Sequence, residues 1–191
     1  IPTPRRDPTK PARLYVARSF DVNMPGMTVD KLRGGVLGGS LLQGKFNVGD
    51  EIEIRPGTKI EQGGKVSYEP ICTFISSLMS GSTVVSEVGP GGLVGLGTML
   101  DPTLTKADSL VGSVVGKPGS LPPTRVELKL KVTLLDRVVG TKEMQKVEHL
   151  KARENLMLVV GSSVTVGAVT AAYKDDAQLL LKRPVCVEDG A

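Results

Sequence analysis

Residues able to do catalysis are few and poorly spaced for it. The chain has one histidine, His149, in a charged stretch, and two cysteines, Cys72 and Cys186, far apart in apolar surroundings. A hydrolytic triad needs a nucleophile, a base and an orienting acid within reach of one another, and a structural zinc needs four nitrogen or sulfur ligands. The charged stretch around His149 reads as solvated, where no triad is assembled, and one histidine with two distant cysteines leaves a zinc site short of ligands. The cysteines read as reduced, half-buried thiols of a cytosolic protein. Asp175-Asp176 is a paired carboxylate in a turn between strand-like segments, where its ordinary role is to face solvent. Gly39-Ser40-Leu41-Leu42-Gln43-Gly44-Lys45-Phe46 follows the phosphate-loop pattern up to its last position, where Phe46 replaces the hydroxyl that would hold magnesium. The next element, residues 50–55, alternates like a strand where a phosphate loop requires a helix. No catalytic residue and no metal ligand is expected.

What the sequence does offer is access to backbone. Gly91, Gly92, Gly95 and Gly97 fall within seven residues. Glycine weakens a strand interior unless something must approach the main chain closely, or unless the strand bends or bulges there. Both readings stay open. Under the first, a Gly-rich strand pair forms a shallow floor on which ribose and phosphate lie. Val36 and Leu96 would then line a slot for one base, and backbone N–H groups would bind oxygens. With three Tyr, three Phe and no Trp, the chain does not fit modules that stack bases on aromatic platforms.

The elements that must position these residues are strands. With 191 residues, 40% hydrophobic and 23% charged, the chain suits one large domain or two small ones. Its 23 Gly and 13 Pro imply many turns. Residues 13–20 alternate, and Glu51-Ile52-Glu53-Ile54-Arg55 alternates until Pro56-Gly57, a turn pair expected to end the strand. Short apolar runs follow at 70–78, 91–96 and 110–115. Lys117-Pro118-Gly119-Ser120-Leu121-Pro122-Pro123 reads as a stiff, extended connector. Beyond it, residues 125–132 show strict period-2 alternation, continued at 155–160, 164–173 and 177–187. Residues 142–153 read as a loop or a short turn of helix. Short strands punctuated by turns predict an all-β chain of two consecutive β-barrels, at residues 1–120 and 121–191. The second barrel is short, and its turn-like end, Glu188-Asp189-Gly190-Ala191, predicts an incomplete barrel with an exposed edge strand.

Charge is unevenly spread. The net charge is only +4, but residues 1–18 carry five basic groups against one acidic, and residues 117–153 nine against four. Residues 50–110 hold four basic against eight acidic groups. Basic segments around an acidic middle suit a polyanion at one face, and equally suit a soluble β protein. No apolar run reaches the roughly 18 residues needed to span a bilayer, and no basic-then-apolar leader opens the chain.

Three stretches together narrow the choice. Arg18-Ser19-Phe20-Asp21-Val22-Asn23 with Pro25-Gly26, Gly34-Gly35-Val36-Leu37-Gly38-Gly39-Ser40, and Pro90 through Asp108 resemble the γ subunit family of archaeal and eukaryotic translation initiation factor 2. Residues 48–57 and Leu134-Leu135-Asp136-Arg137-Val138-Val139-Gly140 extend the likeness over essentially the whole chain. The short 58–69 segment and the lack of Trp look archaeal. That family is similar to elongation factor Tu, a GTPase domain followed by two β-barrels, and this sequence resembles the two barrels alone. The resemblance therefore implies that GTP and magnesium belong to a separate GTPase domain, that this chain is not itself an enzyme, and that it is cytoplasmic with no membrane partner. It implies a methionylated initiator tRNA as ligand, with Gly34, Val36, Leu96, Thr98, Met99 and Val115 around the terminal adenosine. Met99 departs from the polar residue many relatives carry there. The α subunit is expected on the first barrel, with residues 58–68 as the candidate contact, the β subunit on the GTPase domain, and delivery to the small ribosomal subunit. The competing expectation is a β-barrel scaffold that associates with itself through an unclosed edge.

Overall fold

The computed structural model describes residues 6–135 and 147–190. Thirteen strands follow in order: β1 (Arg13–Phe20), β2 (Val36–Gln43), β3 (Phe46–Asn47), β4 (Glu51–Gln62), β5 (Lys65–Ser80), β6 (Thr83–Val85), β7 (Glu87–Val88), β8 (Val94–Thr98), β9 (Val114–Gly116), β10 (Thr124–Lys131), β11 (Asn155–Val160), β12 (Ser163–Ala172) and β13 (Asp176–Cys186). Three single-turn 3-10 segments, Val29–Lys31, Pro102–Leu104 and Lys106–Asp108, are the only helical pieces among the described residues. The chain is all-β, as its alternation predicts. The Leu134–Gly140 likeness lies mostly, and the 142–153 stretch partly, outside the described residues.

Two compact units are present, Ile1–Thr124 with Gly161–Ser163 and Val185–Ala191, and Arg125–Val160 with Val164–Pro184. In the first, the order β4-β9-β1-β2-β8-β5 is closed by pairing of β4 with β5, giving a six-stranded antiparallel barrel to which β6 adds at β5. Closure removes the strand edges that would otherwise pair with other chains. Period-2 residues fill the barrel: Leu14 and Val16, Leu37 and Leu41, Ile52 and Ile54 are all buried, and a register slip after Ile75 brings Leu78 inward beside them. Phe46, the misfit of the phosphate-loop pattern, is buried in that core on strand β3.

Pro56-Gly57 does not end β4. A register break between Ile54 and Thr58 absorbs the pair as a bulge, and β4 and β5 continue as a long hairpin from Thr58↔Glu69 to Gln62↔Lys65. Gly57 sits at φ +84°, and a Cβ there would lie 1.9 Å from the Glu69 carbonyl oxygen, so only glycine fits the bulge. The 117–123 connector is also not free. Gly119 N–H donates to Glu53 Oε2 at 2.6 Å, Arg55 Nη1 donates to the Pro122 carbonyl at 3.2 Å, and Leu121 is buried against Val114 and Cys186.

In the second unit the described residues form a sheet in the order β10-β13-β12-β11. Val169, Ala177, Leu179 and Leu181 are buried, whereas Met157, Val159, Val164 and Leu180 are exposed. Asn155-Leu156-Met157-Leu158-Val159-Val160 is apolar on both parities, the texture of a strand made to be covered on both faces.

Candidate functional site

An open groove of about 1200 Å³ lies on the outside of the closed barrel, over β2 and β8. Its floor comes from the strand pair Val36↔Gly97 and Gly38↔Gly95. None of Gly38, Gly95 and Gly97 adopts a left-handed φ. A Cβ on Gly38 would sit 3.6 Å from Arg18 Cβ and 3.9 Å from the Phe20 ring, and one on Gly95 would sit 3.6 Å from Met79 Cβ, all ordinary contact distances. On Gly97 it would meet only serine side chains, with Ser77 Oγ at 2.3 Å. Neither backbone conformation nor packing demands glycine at positions 38 and 95, so what their small size supplies is a low floor. Gly34 is of the other kind: a Cβ there would lie 1.9 Å from the Thr98 carbonyl oxygen, so close chain approach requires it. The two sequence readings of the glycines thus divide by position.

The walls are apolar and exposed. Phe20, Val22, Val29 and Leu32 stand on one side, with Met79, Leu93 and Met99 on the other. Arg18, Arg33, Asp21 and Asp101 are the charged groups of the lining. Polar bonds fix the walls. Asn23 clasps the loop after β1, donating from Nδ2 to the Arg33 carbonyl and accepting from Arg33 N–H, both at 2.7 Å. Gly35 N–H donates to the Leu100 carbonyl, and its own carbonyl accepts from Thr98 N–H and from Thr98 Oγ1 at 2.7 Å. Asp108 Oδ1 accepts from Arg18 Nε and Ser19 N–H, both at 2.9 Å, while Leu110 N–H donates to Ser19 Oγ. Those donors, the Ser19 amide first, hold the Asp108 carboxyl below its usual range. Asp101 is held low by the Thr103 hydroxyl and amide. Three stretches far apart in sequence, 18–23, 34–40 and 93–108, therefore surround one groove.

The comparisons with known proteins agree on one lineage. The family model described as Initiation factor eIF2 gamma, C terminal, matches residues 126–191. Similar over all of this chain are translation initiation factor 2 subunit gamma of Thermococcus kodakarensis, 58% identical, of Methanocaldococcus jannaschii, 55%, and of Haloquadratum walsbyi, 56%. The chain belongs to the initiation factor 2 γ family. It spans about half the length of these relatives, 46% in each case. Within the family, this chain supplies the β-barrel portion.

Of the six residues expected around a terminal adenosine, Gly34, Val36, Thr98 and Met99 line the groove. Thr98 does so with its side chain turned inward, 1% exposed and bonded to Gly35. Met99 is well exposed at the wall. Leu96 and Val115 are corrections. Both are 0% exposed within the barrel core, because strand alternation turns Leu96 inward between Gly95 and Gly97, and Val115 lies between Leu14 of β1 and Ile54 of β4. Neither side chain can touch a ligand in the groove. Sequence reasoning missed Arg18, Phe20, Met79 and Leu93 as lining residues. For Gly95 and Gly97 the signal was present, since neighbours of an inward-facing Leu96 must face outward. The cysteines also differ from expectation: Cys72 is exposed and Cys186 buried, and burial pushes the Cys186 thiol up to about 11.

Proposed function

We propose that the groove receives the 3′ aminoacyl end of methionyl initiator tRNA, and that this chain serves as the tRNA- and subunit-binding β-barrel part of an initiation factor 2 γ subunit. The observation carrying this reading is the glycine floor at Gly38 and Gly95, where neither packing nor conformation requires glycine and where backbone stays reachable. A ribose can lie on that floor, with a base against Phe20 and Met99. Apolar walls suit a base and an uncharged methionyl chain better than a bare polyanion. GTP, its magnesium and its hydrolysis belong to a GTPase domain of the whole factor, which also carries the β subunit. The α subunit docks on the first barrel, with the exposed hairpin at residues 58–68 as its contact. The assembled complex works in the cytoplasm, at the small ribosomal subunit.

The test is a titration of this chain with a fluorescent CCA trinucleotide esterified at its 3′ end with N-acetylmethionine. Weak saturable binding, competed by initiator methionyl-tRNA, is the expected result. No binding up to millimolar trinucleotide would remove the tRNA role from this groove. Isolated α subunit titrated against the chain is expected to form a complex at micromolar concentration, and its absence would remove the docking assignment. A second reading, a self-associating scaffold, is favoured by the exposed Met157, Val159, Val164 and Leu180 of the second unit. A stable oligomer in sedimentation, lacking trinucleotide and α-subunit affinity, would select it.

A further inference from the structure

We infer that Arg18 is an anion contact built into the groove, taking a phosphate group of the bound ligand, and that Asp108 is its positioning residue. The source of the phosphate, a nucleic acid backbone, rests on the function proposed above; the anion site itself rests on geometry alone.

Strand β1 begins with Leu14 and Val16 pointing into the barrel, so continued alternation would send Arg18 inward as well. It does not. The pairing of β1 with β2 slips between Val16 and Arg18, and beyond the slip Ser19 is buried while Arg18 and Phe20 face outward. A bulge that re-aims side chains is a feature often found beside binding sites. Here it lays the Arg18 stem opposite Gly38, with Arg18 Cβ 3.6 Å from where a Gly38 Cβ would be. The side chain is 69% exposed and lines the groove.

Its head is not left to wander. Asp108 Oδ1 accepts from Arg18 Nε and, through the same oxygen, from Ser19 N–H. The carboxylate is thus tied to the backbone of the strand that carries the arginine. Asp108 reaches this place in a left-handed conformation, φ 57°, directly after Ala107 at φ 55°. Consecutive non-glycine residues in that region are costly and persist where the surroundings require them. An arginine anchored through Nε keeps both terminal nitrogens for a second partner, and among the described residues neither has one. Paired N–H donors in one plane match two oxygens of a phosphate. The groove's own carboxylates are occupied elsewhere: Asp21 accepts from Asn23, and Asp101 from Thr103. Arg33, the other cation of the lining, holds its place through backbone bonds to Asn23.

The test uses the full chain and four forms: wild type, Arg18→Gln, Arg18→Lys and Asp108→Asn. Asparagine tolerates the left-handed region and can still accept from Ser19 N–H, so Asp108→Asn removes the charge with the fold retained. The esterified trinucleotide is titrated over a range of KCl concentrations. Loss of one phosphate contact lowers the slope of log affinity against log salt by about 0.7 for a single strand. Arg18→Gln is expected to show that drop with about tenfold weaker binding at low salt. Arg18→Lys should keep the slope and lose affinity several-fold, because the paired donors are gone. Asp108→Asn should likewise keep the slope and bind several-fold more weakly. A merely structural role for Arg18 would not move the slope. If wild type binds the trinucleotide and Arg18→Gln matches it in affinity and slope, the Arg18 assignment fails while the tRNA reading stands. If wild type binds no trinucleotide, the tRNA reading fails, and inorganic phosphate followed at the 15N-labelled Arg18 Nε decides the anion site. A saturable shift weakened in Asp108→Asn upholds it, and an unmoved resonance overturns it.

Discussion

Two glycines in the same groove make opposite predictions. At Gly95 an added Cβ meets only Met79, at a comfortable 3.6 Å, on the outward face of the strand, so Gly95→Val should change unfolding free energy in urea by less than about 1 kcal/mol. It should still weaken trinucleotide binding at least about tenfold, because a branched side chain would stand on the floor. At Gly34 the added carbon collides with the Thr98 carbonyl, a backbone atom that cannot swing aside. Gly34→Ala should therefore cost about 3 kcal/mol, as overpacking typically does. Strong destabilisation by Gly95→Val would mean that the floor glycines serve packing after all. Cys186 offers a pH-dependent counterpart. Its thiol donates to the Pro122 carbonyl at 3.1 Å, and burial raises its folded-state pKa from 9.0 to about 11. The folded state thus holds this proton more tightly than the unfolded chain does. That contribution is complete below about pH 9 and fades as pH rises towards 11. Melting temperatures measured from pH 8 to 11 should fall more steeply for wild type than for Cys186→Ala. Parallel curves would show that the folded state does not hold this proton more tightly than the unfolded chain.

At the level of elements, the connector after β9 behaves as part of the barrel wall. Glu53 is only 4% exposed, accepts from Gly119 N–H and is hydrogen-bonded to Arg55, which in turn donates to the Pro122 carbonyl. Glu53→Ala leaves the Gly119 amide and Arg55 Nε without their acceptor, and should cost about 1–3 kcal/mol in urea unfolding. A smaller loss, within about 0.5 kcal/mol, would mean that the connector is only loosely held. The sequence showed this segment's stiffness, through its three prolines, but not its attachment, because Glu53 lies 66 positions before Gly119. Strand existence was legible wherever inward and outward residues alternate, as in β1, β4 and β10. Strand continuation past Pro56-Gly57 was not, since a bulge depends on the residue count of the partner strand. The groove was half legible. Its three segments stood out by composition, and Leu96 could have been placed inside by parity alone. The outward turn of Arg18 depends on a slip against β2, and its partner Asp108 is 90 residues away. No local pattern carries either fact.

For the molecule as a whole, the question is what its exposed apolar surface does in solution. The first unit closes into a barrel and has no free edge in its six-stranded ring. Among the described residues of the second, β11 and β10 end the sheet, and Met157, 79% exposed, stands with Val159 on the outward parity of the terminal strand β11. Apolar side chains on a free edge favour pairing with another chain, and charge on the edge suppresses it. The net charge of +4 is spread over 191 residues and gives limited repulsion between copies. Sedimentation velocity across a hundredfold range of concentration should show reversible association near the top of that range. Met157→Lys with Val159→Glu should abolish it, with trinucleotide affinity unchanged because the groove belongs to the other unit. Since both positions are exposed, the double variant should unfold within about 1 kcal/mol of wild type. If the variant associates as wild type does, the β11 edge is not the contact. If association and trinucleotide binding disappear together, the groove is not independent of self-assembly, and the scaffold reading gains over the tRNA one.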